Sequence, residues 1–327
     1  MRNTYSHNIQ IDSVFTITPK NKVHSEDIIK MLDNDDQKYF RDSYEKFGVE
    51  GRFVAEENET FESLAYAVAK KQITQNLINK DEICCLIVVS QTSTSRLPNA
   101  GHLIHRELGL NSDCLVFDMN DGCNGYINAL EVASRFIVTN KKEKILIIAG
   151  DVMSKHTDFN EISNKLLIGD AVTSTIISYK DISNGYSLIK NDGSDADAIS
   201  LIQNKNDKFF QMDGFKVYSF AVQKVPKLYK EFITKFNQTE SDFDFIILHQ
   251  ANMLLNSNII RRMKVDKKKF PGSLEQFANT GPASIPVTLS LMDFTKEKNL
   301  LLIGFGAGLS WGAISINACR PSVQIFS

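Results

Sequence analysis

A cysteine, a histidine and an asparagine stand out for where they fall in the chain. Cys123 lies in FDMNDGCNGYINALEVA, residues 117–133. Leu115–Met119 reads as a strand that enters an Asn120-Asp121-Gly122 turn, and a helical pattern opens at Cys123, with Tyr126, Ile127, Leu130, Val132 and Ala133 at its apolar positions. Unpaired N–H groups and the positive dipole end at a helix start favour thiolate over thiol, so the spacing predicts a nucleophile. The ordinary alternative is one buried cysteine among five. His249 falls in LHQAN, just past a predicted strand and so at the end where open α/β sheets place ligands. Asn279 sits in FANTGPASIP, where Gly281, Pro282 and Pro286 build a rigid turn and a first helical turn; locally it fits an N-cap or Asx turn equally well. The glycine-rich GFGAGLSWG, residues 304–312, leads into a strand rather than a helix. That excludes a dinucleotide fingerprint and suits a turn that offers backbone N–H groups to an oxyanion.

The elements that must carry these residues repeat. Continuous apolar runs such as ICCLIVV at 83–89 mark strands buried on both faces, and predicted helices alternate with them. Further strands are expected over residues 9–17, 144–149, 172–179, 244–248, 300–305 and 312–318. Helices are expected over 25–32, 60–77, 99–108, 212–236, 253–263 and 283–294, with helical character at 162–167 and a polar passage at 190–207. Residues 34–51 read as a charged, loop-like stretch with one short helix. Superimposing the halves sets Ser90 against His249, Cys123 against Asn279 and Ile145 against Leu300. The text TNKKEKILIIAGD, from 139, also resembles TKEKNLLLIGFG, from 295. A duplicated α/β unit follows, divided into residues 1–185 with the cysteine and 186–327 with the histidine and asparagine. Loops after equivalent strands then converge on one site.

Composition bounds the rest. The 327 residues are 43% hydrophobic with a formal net charge of -2, so no global field points to nucleic acid or membrane. No apolar run has the length of a secretory core or a membrane span. Five cysteines without framework spacing (84, 85, 114, 123 and 319) suit reduced thiols, and a cytoplasmic protein is expected. His102 and His105 stand three apart without further ligand types, so a solvated helix face is expected there, and no metal. Arg261, Arg262, Lys264, Lys267, Lys268 and Lys269 form a local basic patch that could receive an acidic partner.

DGCNGYINAL, LHQAN, NTGPASIP, GFGAGLSWGAISI and MDGFKVYSFAVQKVP, in this order and spacing, resemble the β-ketoacyl-acyl-carrier-protein synthase III family. The resemblance runs from about Tyr44 to Ala318. It implies a thiolase-like, duplicated αβαβα five-layer α/β fold, a homodimer, and decarboxylative Claisen condensation without a cofactor. Acyl-coenzyme A and acyl-carrier-protein thioesters would be the substrates. Cys123 would accept the acyl group, and His249 and Asn279 would stabilise the enolate from malonyl-carrier-protein. Backbone N–H groups of Cys123 and Ala307 would hold the oxyanion. Leu97, in SRLPNAG, would cross the dimer to line the partner's acyl pocket, and the basic patch would meet acyl carrier protein.

Departures from the family pattern are local. Asp42 and Lys46 stand near the places of a tryptophan and an arginine that clamp coenzyme A, so that donor is expected to bind poorly. Asn120 and Asp121 precede the cysteine where small apolar residues are usual, and an inward Asp121 would oppose a thiolate. Together they suggest a specialised member, in a secondary or surface-polysaccharide pathway. The alternatives are an acyltransferase passing the Cys-bound group to oxygen or nitrogen, a non-catalytic carrier-binding module, and a cysteine hydrolase. Asparagine at 279 favours condensation, because it can donate to an enolate.

Overall fold

A computed structural model describes residues 4–32, 34–76, 78–137, 143–158, 162–181, 185–203, 208–294, 296–319 and 325–326. Strands apolar on both faces must be covered on both sides, and the alternation of side chains shows by what. Along Lys144–Asp151, Ile145, Ile147 and Ala149 join one apolar cluster while Leu146 and Ile148 join another. Along Lys298–Gly306, Leu300 and Leu302 enter that first cluster, and Leu301, Ile303 and Phe305 enter a third. The shared cluster therefore lies between two sheets, and it contains the helices Gly125–Phe136 and Ser284–Ser290. Helices Phe61–Gln75 and Ala100–Leu108 cover the first sheet outside; Gly214–Lys235 and Met253–Met263 cover the second. The five layers are α, β, α, β, α.

The two sheets share one wiring. In the first, Ile83–Val89 lies parallel to Lys144–Asp151, which is antiparallel to Ala171–Tyr179, itself antiparallel to Ile9–Ile17. In the second, Phe245–Leu248 lies parallel to Lys298–Gly306, then Ser310–Ala318 and Gly185–Asn191 follow antiparallel. Leu115–Met119 closes the first sheet beside Ile83–Val89, and Thr4–His7 closes the second. The sheets meet where Gln10 and Ile11 pair with Asn317 and Ala318. This is the duplicated thiolase-like fold expected from the sequence. Among the described residues no helix is long and apolar enough to cross a membrane.

Several expected elements change. Residues 34–51 hold a 14-residue helix, Asn34–Phe47, longer than the one short helix expected in that loop-like stretch. Its Phe40, Tyr44 and Phe47 follow helical spacing and pack with Ile29 and Leu166, a narrow stripe masked by the charges around it. Asn21–His24 and Gly51–Val54 form a short antiparallel ribbon. The polar passage at 190–207 contains strand residues too, since Ile199–Gln203 pairs with Lys208–Met212. Ser25–Lys30 begins without a side-chain cap, because the Ser25 hydroxyl donates to Val49 O at 2.7 Å. Thr60 does cap Phe61–Gln75, through a reciprocal pair with Ser63. Position 77 lies outside the described residues, as do 139–142 and 295 in the repeated text.

Gly150 pairs with Val172, and a β-carbon there would stand 2.3 Å from Ala171 O and 2.6 Å from Val172 Cα. Both obstacles are backbone, so they cannot rotate away. Gly150→Ala is therefore expected to lower unfolding free energy by about 3 kcal/mol in a urea titration. An unchanged midpoint would mean that the two strands can part at no cost.

Candidate active site

Strand Leu115–Met119 delivers the chain to a turn closed by Gly125 N–H donating to Gly122 O at 2.7 Å, and helix Gly125–Phe136 starts from it. Cys123 precedes the N-cap residue Asn124, so it stands just outside the first helical turn. Its thiol is not activated in the way the helix start suggests. Burial pushes it up to about 12, the carboxylates of Asp151 and then Asp121 push the same way, and only the residue's own N–H opposes them. Removing a thiolate from water costs more than a dipole end returns beyond its own first turn. Asp121 does face inward: its carboxylate accepts from Gly122 N–H at 2.9 Å and from the Asn128 amide at 2.5 Å.

The glycine-rich turn comes from the other half and lies directly on this loop. A β-carbon at Gly306 would stand 2.8 Å from Cys123 Cβ and 3.3 Å from its Sγ, and one at Gly122 would stand 3.1 Å from Ala307 Cβ. Two glycines thus let two backbones touch. Buried Asn124 locks them together, its amide donating to Ser310 Oγ at 2.8 Å.

His249 continues the ladder beyond Phe245–Leu248, its N–H donating to Ile303 O at 2.9 Å. The ring lies edge-on to Phe305, and its Nδ1 meets Ser284 Oγ at 2.6 Å. That oxygen also accepts from Gln250 N–H at 3.3 Å and still has its own hydroxyl proton to give, so it can donate to Nδ1 and leave the ring hydrogen on Nε2. Burial lowers the imidazole to about 3, which keeps it neutral. Asn279 is fixed at both ends of its peptide: its N–H donates to Leu167 O at 2.9 Å and its carbonyl accepts from Gly169 N–H at 3.1 Å. Ala278 before it adopts φ 59, ψ -159, a strained backbone that these contacts hold. Asn279 Oδ1 accepts from Gly281 N–H at 3.0 Å, leaving the Nδ2 hydrogens to donate.

Cys123, His249, Asn279 and Ala307 border one cavity of about 370 Å³, along with Phe305 and Gly306. The structure so brings together a thiol, two neutral N–H donors and a glycine turn. Two contributors had no sequence signal. Ser284 sets the histidine tautomer, and Asp151 ties the loop after Ile83–Val89 into place. Asp151 Oδ1 accepts from Ser90 Oγ, Gln91 N–H, Thr92 N–H and Thr92 Oγ1 between 2.7 and 3.1 Å. Burial raises Asp151 to about 7.

The remaining expected residues lie elsewhere. Leu97 is 92% exposed, away from the cavity, as are the neighbouring sheet-edge side chains Leu115 and Phe117 in part. Arg261, Arg262, Lys264, Lys267 and Lys268 are exposed. Lys269 is half-buried and donates to Glu240 O and Phe243 O, which commits it to the fold. Leu254, at the other end of the helix bearing Arg261 and Arg262, lines the cavity and is exposed at its mouth. Asp42 belongs to helix Asn34–Phe47, Lys46 is exposed in its last turn, and Phe47 lines the cavity. His105 bonds Asn111 O at 2.9 Å and His102 bonds the Asn99 side chain; among the described residues no His, Cys, Asp and Glu group could hold a metal.

The raised thiol has a direct consequence. Below its pKa the thiolate fraction rises tenfold per pH unit, so iodoacetamide labelling of Cys123 is expected to keep climbing through pH 9. A plateau near neutrality, read by mass spectrometry, would show instead that the helix start prevails over burial.

The chain is similar to known proteins over most of its length. The family model for 3-oxoacyl-[acyl-carrier-protein (ACP)] synthase III fits residues 117–193, and that for the C-terminal part of the same enzyme fits residues 233–318. The β-ketoacyl-[acyl-carrier-protein] synthase III of Acholeplasma laidlawii is 32% identical over 94% of this chain and 98% of its own length. That of Streptococcus pneumoniae is 28% identical over 93% and 98%. Among solved structures, a 3-oxoacyl-(acyl-carrier protein) synthase from Burkholderia xenovorans superimposes with a TM-score of 0.91 over 99% of this chain and 98% of its own, at 24% identity. The priming β-ketosynthase of the R1128 polyketide pathway gives 0.86 over 98% and 99%, at 22% identity. Those two likenesses establish the fold.

Proposed function

Because the chain belongs to the 3-oxoacyl-[acyl-carrier-protein] synthase III family, we propose that it joins an acyl group to malonyl-carrier-protein by decarboxylative condensation, with Cys123, His249 and Asn279 as the reacting set. The observation that carries this assignment is their convergence, from loops of both halves, on one cavity beside the turn at Ala307. Cys123 Sγ attacks the carbonyl carbon of an acyl thioester. The carbonyl oxygen takes up charge against the N–H groups of Cys123 and Ala307, the carbon–sulfur bond to the carrier breaks, and the thiol proton leaves with the carrier sulfur.

Malonyl-carrier-protein then enters. Its carbon–carboxylate bond breaks, carbon dioxide departs, and the electron pair forms an enolate whose oxygen accepts from His249 Nε2–H and Asn279 Nδ2–H. The enolate carbon attacks the acyl carbonyl, the carbon–sulfur bond to Cys123 breaks, and the departing thiolate takes a proton from solvent. The second step needs hydrogen-bond donors, not bases. A neutral His249 with its hydrogen on Nε2 and an Asn279 whose oxygen is already engaged meet that need. The same features disfavour acyl transfer to an oxygen or nitrogen acceptor, which calls for a group that removes a proton. Electrons come from decarboxylation itself, so the cycle requires no metal or redox cofactor.

A homodimer fits the exposed edge of the first sheet: among the described residues Leu115–Met119 bonds a strand on one side only, and Leu115, Phe117 and Leu97 are exposed. Leu97 would then reach the partner's acyl pocket. Acyl carrier protein would dock where apolar Met253 and Leu254 and basic Arg261, Arg262 and Lys264 share one helix and its C-cap. Lys267 and Lys268 extend that surface. Coenzyme A thioesters serve as poorer donors, and the five unpaired thiols suit the cytoplasm.

Intact-protein mass spectrometry and carbon dioxide release separate the two steps. Cys123→Ala is expected to gain no acyl mass. His249→Ala and Asn279→Ala should load normally yet lose about 10²–10³-fold in condensation, the worth of one oxyanion donor. Ser284→Ala should lose about tenfold in the second step alone, through a freed tautomer. Loss of loading in the His249 and Asn279 variants, with condensation of preloaded enzyme intact, would reverse the assignment.

A further inference from the structure

The cavity beside Cys123 is apolar apart from a few side chains, and nearly all of these are already engaged. His249 is held by Ser284, Asn279 by Gly281, and Asn252 by the Leu255 N–H it caps; Asn164 has a partner of its own. Tyr218, on the helix Gly214–Lys235, lines the same cavity. Gln91 is different. Its N–H is tied to Asp151 Oδ1 at 2.7 Å, which fixes the backbone, yet its side-chain amide bonds no described residue. That amide reaches over the residue before the nucleophile: a β-carbon at Gly122 would lie 3.5 Å from Nε2 and 3.6 Å from Oε1. The same point lies 3.1 Å from Ala307 Cβ. Gln91 therefore lies beside the Cys123 loop and the Ala307 turn and lines the same cavity as both.

We propose that Gln91 selects a hydroxyl-bearing acyl group as the starter, reading the hydroxyl with its amide. An amide presents one donor and one acceptor face, which a hydroxyl matches in both senses, whereas an alkyl chain leaves both faces unpaired. An anionic acyl group is disfavoured in the same place. The carboxylates of Asp151 and Asp121 already oppose negative charge at Cys123, and no lysine or arginine is among the described residues lining the cavity. The Gln91 amide is half-buried, and an acyl chain that covers it without a hydroxyl leaves it unpaired, so a site that hydrogen-bonds a hydroxyl rejects the analogue lacking it. The inference rests on Cys123 being the acyl-carrying residue.

The test compares two carrier-protein thioesters of equal length, butyryl and 3-hydroxybutyryl, by the rate at which each adds its mass to full-length enzyme. Wild type is expected to load the hydroxylated group about tenfold faster, and in Gln91→Leu the ratio should fall to about one. Equal rates in wild type overturn the proposal without any variant, and so does an unchanged ratio in Gln91→Leu. Loading of neither group, or loading that persists in Cys123→Ala, overturns the acyl-cysteine assignment itself and this selection with it.

Discussion

Everything at the site depends on one contact between the halves, the packing of the Gly306 turn against the Cys123 loop. A β-carbon on Gly306 or Gly304 would strike Cys123 or the Asn124 and Ile127 side chains within 3 Å, so the approach exists only because both positions are glycine. Asn124 and Ser310 add a buried hydrogen bond across the same seam. Large parts of the fold serve to keep that seam in register. The sheets share an inner layer, and the helix Gly125–Phe136 that follows the cysteine packs on strands of both. Shifting one sheet by a residue would turn its apolar face outward, so register is fixed by burial.

Burial also sets the charge of the site. It raises the Cys123 thiol, raises Asp151 and lowers His249, so that a thiol and a neutral imidazole are the resting forms. A site built on neutral hydrogen-bond donors gives its stabilisation to charge that develops during reaction, on the thioester oxygen and then on the enolate. For a buried cysteine the ground-state thiolate is the costly species. Helix-end stabilisation would matter more if the residue were inside the first turn, and Cys123 lies just before it.

Strand ends place the reacting residues, and loops refine them. His249 and the Ala307 turn follow neighbouring parallel strands of one sheet, while Cys123 follows the edge strand of the other. Asn279 has no strand of its own. A strained Ala278 and bonds to Leu167 and Gly169, from the excursion between Lys144–Asp151 and Ala171–Tyr179, hold it instead. That excursion looks like an insertion along the chain, yet it supplies the clamp for a residue more than a hundred positions away.

Much of this was legible in the residues alone. Strand Ile83–Val89 shows as a continuous apolar run, Ile9–Ile17 as an alternating one and helix Met253–Met263 by its helical spacing, and the repeated order of elements gives the layered fold. The same order names Cys123 and His249 at strand ends, and the repeat sets Asn279 against Cys123. The full extent of helix Asn34–Phe47 and the ribbon ending at Met212 escaped because their apolar stripes are narrow and become meaningful only against Leu166 or the cavity wall. The protonation of the thiol, the tautomer of His249, the free face of Asn279 and the reach of Gln91 were decided by tertiary structure. Each depends on desolvation or on a hydrogen-bond partner supplied by a distant part of the chain, and neither quantity has a local trace in sequence.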